Sequence, residues 1–291
     1  MNSLANSIIS TISEIFKHIF SSIDDNIYTA LDKISFINTD IMNSPYLEKL
    51  LGKNSSTGIL LLANSLIVAF VIYFAIKLLL SNYSIGKPQN PYKFFVKILL
   101  VAIFMNASFF LCDQIISISS LISSAIRDIG KSFLDEDICF SNILKISNSI
   151  ISVEEDTQSF FSIDGIIKTL VSLGFLNLIF IFSVRYVLIK VFILLSPFAI
   201  LCTVNEGTIH FFTSWLKSFV SMLLIEIFAS IILIVLFSIE YSPSDVVSKL
   251  LFLGAVFALM KVNSYVRDII GGISLDVQNS MYLFRGMTNL K

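Results

Sequence analysis

The sequence predicts an all-α fold: a polytopic helical membrane protein with about five transmembrane helices plus amphipathic helices. Three observations predict it. Hydrophobic residues make up 55% of the chain and charged residues 14%, where soluble domains carry roughly 25% charge. Mean hydropathy is +0.85, so most of the chain has no place in water. The run from Ile166 to Val204 is nearly unbroken hydrocarbon, close to twice the ~20 residues that cross a bilayer.

The elements divide the chain as follows. Residues 1–57 form an extracytoplasmic amphipathic region, in which Leu4, Ile8, Ile12, Ile15, Ile19, Ile23 and Ile27 recur at helical spacing opposite Ser13, Lys17, Ser21, Asp24 and Asp25. Such a helix lies on a membrane surface or packs on a partner helix. The first residues lack a basic region and a continuous apolar stretch, so no cleavable signal peptide is expected. Residues 58–118 hold the first two spans, about 58–80 and 94–118, joined by a Lys-rich loop. Residues 119–165 read as an acidic loop with a short amphipathic helix near Ile143 to Ile151. Residues 166–262 hold the remaining spans: the long segment broken at Pro197, then about 218–239 and 247–262. Residues 263–291 form a tail.

Lysine and arginine in short loops set the orientation. Lys77, Lys87, Lys93 and Lys97 surround the first loop with no acid among them, which places it in the cytoplasm. The acidic region 119–165 is then outside, and the tail, with Lys261, Arg267, Arg285 and Lys291, is inside. An outside N-terminus and an inside C-terminus need an odd number of crossings, and five satisfy every signal. The long segment then crosses once, with Arg185 and Lys190 toward the cytoplasm. Either it is one long kinked helix, or it crosses by about Lys190 and continues as a re-entrant or interfacial helix on the cytoplasmic side. Pro197 supports a break after the crossing. Six crossings, with Arg185 and Lys190 in a tight turn, put the tail outside against its charge. The abundance of Ile, Phe, Ser, Asn and Lys suggests an AT-rich, bacterial coding genome, and the bacterial cytoplasmic (inner) membrane is the expected location of the chain.

No enzyme chemistry is legible. There is no phosphate loop, no HExxH, no GxSxG elbow and no Gly-rich dinucleotide fingerprint, and the chain has only two histidines. Cys112, Cys139 and Cys202 make no CxxC pair and read as small apolar fillers, so no metal or cofactor is expected. A net charge of −1 offers no polyanion-binding surface, and no internal repeat of the transporter kind is visible. The charges inside apolar spans stand out, because a charge at mid-bilayer costs about 2.5–3.5 kcal/mol on insertion scales. Arg185 and Glu226 are the prominent cases. Either they pair inside the bundle, or Arg185 snorkels to the cytoplasmic interface. Trp215 and Lys217 read as an interfacial anchor, and Asn64, Asn106 and Asn177 as interhelical hydrogen-bond partners.

From Arg185 to Phe228 the chain resembles the TrbL/VirB-type polytopic membrane subunits of bacterial type IV secretion and conjugation systems. In that family a hydrophobic helix runs into a Leu-Ser/Gly-Pro-Phe/Leu turn, and a Trp-Leu-Lys/Arg element precedes the next helix. Here these fall on Leu195-Ser196-Pro197-Phe198 and Trp215-Leu216-Lys217. The resemblance implies a non-enzymatic channel or scaffold subunit within membrane lipid, beside energising ATPases and other secretion-system subunits. It implies translocated single-stranded DNA or protein as cargo, and assembly as a homo-oligomer. Arg185, Lys190, Pro197, Trp215, Lys217 and Glu226 are the structural and assembly candidates. The competing readings are a permease component of a small-molecule transporter and a scaffold of another envelope complex.

Overall fold

The computed structural model describes residue 11 and residues 31–37, 41–42, 45–52, 58–81, 91–143, 146, 163–239 and 245–270. Its helices are α1 (Pro45–Leu51), α2 (Ile59–Ser81), α3 (Pro91–Asn106), α4 (Ser108–Leu134), α5 (Ile163–Leu201), α6 (Ile209–Phe237) and α7 (Val246–Ile270), with a 3-10 turn at Cys202–Val204. No described residue lies in a strand. Among the described residues, five stretches are long and apolar enough to cross a membrane: Ile59–Ile76, Ser108–Leu134, Gly165–Val204, Ile209–Phe237 and Val246–Ile270. The chain is an all-α, polytopic membrane protein.

Two units make up the chain. The first comprises Met1–Ile37, Ser119–Tyr186 and Met222–Lys291; the second comprises Asn38–Ile118 and Val187–Ser221. Within the first, α4 from Ser119, α5 up to Tyr186 and α6 from Met222 pack with α7, and Phe140, Phe175, Phe182 and Phe252 are all buried. Helices approach closely where glycine removes a side chain. A Cβ on Gly174 of α5 would lie 2.8 Å from Val256 Cγ1 on α7. Within the second unit, α2 and α3 form an antiparallel hairpin. The Asn64 and Asn106 amides exchange two hydrogen bonds of 3.2 Å across it, a pairing worth about 1 kcal/mol in apolar surroundings. Ala63, Val101 and Met105 of the hairpin pack on Ile200, Leu201 and Val204. Most of the remaining hairpin surface is exposed and apolar, as suits lipid contact.

The structure moves several boundaries. The expected span 94–118 is divided at Ala107, where α3 ends, and α4 carries on to Leu134. The joint keeps its hydrogen-bond ladder, since Ala107 N donates to Ile103 O and Leu111 N donates to Ala107 O. Helix therefore replaces the first part of the expected acidic loop, 119–165. The reason is a serine face: Ser119 donates to Leu223 O at 3.3 Å, and Ser123 meets Ser230 at 2.9 Å. Asp128, Asp135, Glu136 and Asp137 stay exposed. At the other end, α7 extends through Ile270, because Asn263 and Val266 continue its buried face into the expected tail. Apart from residue 11, the amphipathic pattern of Leu4 to Ile27 lies outside the described residues. So do the loop 82–90, residues 147–162 and the tail beyond 270.

Candidate functional site

Residues 31–37 make the most unusual feature of the first unit. Residues 31–35 are helical, and the helix stops at Phe36 and Ile37 in the protein interior. Leu31 and Ser35 are fully buried and Ile37 is 2% exposed. A helix ending in an apolar interior leaves backbone groups without partners, at a cost of a few kcal/mol each. Two charged side chains supply what is missing. Arg185 of α5 donates through Nη1 to the Ser35 carbonyl at 3.0 Å, and Glu226 of α6 accepts from Ile37 N at 3.1 Å. The same two residues pair with each other, Nη2 to Oε2, at 3.2 Å. The Phe182 ring lies 5.6 Å from the guanidinium.

Of the two readings open for Arg185, the structure has the ion pair. A snorkelling head group would be exposed, and this one is completely buried. The arrangement suits a water-poor interior, since the cation meets a carboxylate and a carbonyl while the anion meets a guanidinium and an N–H. The opposite end of residues 31–37 is also held. The Asp32 carboxylate accepts from Phe140 N at 2.7 Å, Ser141 N at 3.2 Å and Ser141 Oγ at 2.5 Å, so it caps the helical turn 140–143. Arg127 lies over the Phe36 ring, 3.9 Å from its centroid.

Three buried polar atoms around this segment lack a hydrogen-bond partner among the described residues: Ser35 Oγ, Arg127 Nε and Arg185 Nε. Arg127 was masked in the sequence by the acids that surround it. Ser35 and Ile37 act through their backbone, and Asp32 through a contact more than a hundred positions away. Only the serines left a trace, as Ser119 and Ser123, and Glu226 and Ser230, repeat at one helical turn.

In the second unit, Pro197 does not break α5, contrary to the expectation; the helix runs on to Leu201. Proline at this position removes the N–H that would bond the Ile193 carbonyl. The Ser196 hydroxyl donates to that carbonyl instead, at 2.7 Å. One residue earlier, the Phe192 carbonyl accepts from Trp215 Nε1 of α6 at 3.0 Å. Trp215 is therefore no interfacial anchor. It is 6% exposed and stacks on Phe219 at 5.5 Å, because its indole N–H closes the backbone beside the proline. Lys217 is exposed and Lys190 half-buried. Neither belongs to either cluster.

Cys112, Cys139 and Cys202 are free. Burial pushes the Cys139 thiol above its ordinary range, which keeps it from being a ready nucleophile. Among the described residues, no group of three or more His, Cys, Asp or Glu could hold a metal ion. Comparisons with protein-family models, curated proteins and solved structures find no match for this chain.

Proposed function

We propose that the chain is an integral channel or scaffold subunit of a type IV secretion or conjugation apparatus in the bacterial cytoplasmic membrane. It takes its energy from partner ATPases and helps to pass single-stranded DNA or protein. The observation that carries this reading is the bond from Trp215 to Phe192 O beside Pro197. The resemblance rests on a Leu-Ser-Pro-Phe element, helical in this chain, and a Trp-Leu-Lys element. The hydrogen bonds of Ser196 and Trp215 make those two elements one device, which gives a physical reason for their occurring together. Five apolar helices and a buried ion pair agree with a polytopic subunit built to hold a fixed arrangement in lipid.

Deletion of the chain from a conjugative host is expected to abolish plasmid transfer and leave growth unchanged, with transfer restored by the wild-type chain. Normal transfer in the deletion strain contradicts the proposal. A transporter would move a solute when expressed alone, and this chain is expected not to.

A further inference from the structure

Residues 31–37 reach into the interior of the first unit with Leu31, Ser35 and Ile37 buried, and beside the contact of the Phe36 and Phe140 rings they are seated by charged and polar groups. A permanent filler needs none of this. Apolar side chains of matching volume usually serve a core as well as a buried ion pair does. Irregular backbone at membrane depth is tolerated only where it is buried in protein or lines a water-filled cavity. Here Ser35 Oγ, Arg127 Nε and Arg185 Nε are buried and have no hydrogen-bond partner among the described residues. Groups of this kind are satisfied once water reaches them, and polar cavities, unlike apolar ones, take up water.

The seat also continues into further polar contacts. Ser119, Ser123 and Arg127 repeat every four residues on α4, a stripe about 12 Å long at the helical rise. Glu226 and Ser230 repeat likewise on α6. The two stripes meet at Ser123 and Ser230, 2.9 Å apart, and at Ser119 and Leu223 O.

The geometry points to residues 31–37 as a removable plug, which when seated closes a polar passage lined by Ser119, Ser123, Arg127, Arg185, Glu226 and Ser230, and when withdrawn admits water and small ions. The plug is held at its two ends by different means. Asp32 latches one end to the turn 140–143, and the ion pair holds the backbone of Ser35 and Ile37 at the other. Releasing the latch leaves only the ion pair to hold the plug, so opening starts at the Asp32 end. This inference rests on reading the chain as part of a conduit. Its test uses the purified full chain in lipid vesicles, with no transfer apparatus, so the two readings fail separately.

The test protein has Cys112, Cys139 and Cys202 replaced by serine, a reporter Ser123→Cys, and the latch pair Asp32→Cys/Ser141→Cys. Reduced, it has lost the Asp32 bonds and the plug opens. A small membrane-impermeant thiol reagent then labels the reporter about tenfold faster than in protein retaining Asp32, the scale expected when a local contact holding a segment closed is lost. Oxidised, the latch disulfide forms and labelling returns to the slow rate. Equal labelling in the reduced and oxidised protein overturns the plug, and so does failure of the latch disulfide to form. A second variant, Phe36→Ala with Asp32 intact, removes the ring under Arg127 and is expected to speed labelling in the same direction.

Discussion

Arg185 and Glu226 answer to two backbone groups as well as to each other, and that fixes how mutations at them behave. Arg185→Gln or Glu226→Gln alone leaves one buried charge without its counterpart, a loss of about 3–5 kcal/mol. The double Gln variant keeps a donor for Ser35 O and an acceptor for Ile37 N with no net buried charge. Thermal unfolding in detergent is expected to show the double variant as more stable than either single one; additive losses contradict the pairing. Exchanging the two residues is not expected to rescue, since a carboxylate would then face the Ser35 carbonyl. Trp215→Phe keeps the ring stack and removes the second hydrogen bond that the Phe192 carbonyl accepts, at about 1 kcal/mol, whereas an interfacial tryptophan tolerates that change. Ser196→Ala is expected to cost about 1 kcal/mol, and little in a Pro197→Ala background, where the backbone N–H returns to Ile193. Pairing was one of two readings the sequence left open for these charges, because the apolar runs around them offer few other partners. The backbone groups they serve were not legible, since every residue carries the same ones.

The helices follow from apolar length, and their ends from contacts that length does not record. The expected end of the second span at Ile118 failed because the serines after it look like loop until α6 supplies Leu223 O and Ser230 as their partners. The expected break at Pro197 failed because a neighbouring hydroxyl replaced the lost donor. Close packing gives a direct test of which helices meet. Gly174→Ala sets a methyl 2.8 Å from Val256 and is expected to cost about 1–3 kcal/mol. Gly254, with open space around its Cβ position, tolerates alanine or gains up to about 1 kcal/mol from it. Equal effects at the two glycines contradict the α5–α7 contact. At the start of α7, Asp245 accepts from Val247 N and from Ser248. The Val247 N–H first, then the Ser248 hydroxyl, hold its carboxyl below the ordinary value of 3.8. A depressed folded pKa contributes stability that is full above the unfolded value and is lost as pH falls through the folded one. The stability difference between wild type and Asp245→Ala is therefore expected to shrink on acidification below about pH 4. A difference that is flat with pH contradicts the cap.

For the whole molecule, the membrane class was plain from composition, and five apolar helices are present as the charge bias requires. Which ends face which side is an expectation from lysine placement: Lys93 and Lys97 at the start of α3, and Lys261 and Arg267 at the end of α7. The proposed conduit and the plug both depend on this arrangement, because residues 31–37 belong to an N-terminal region assigned to the outer face. Single cysteines at Asp135 and Ser280, in a chain otherwise free of cysteine, test it in intact cells. The account predicts that an impermeant thiol reagent labels Asp135→Cys at once and Ser280→Cys only after the membrane is permeabilised. Labelling of Ser280→Cys in intact cells would put both chain ends outside, require an even number of crossings, and contradict the account.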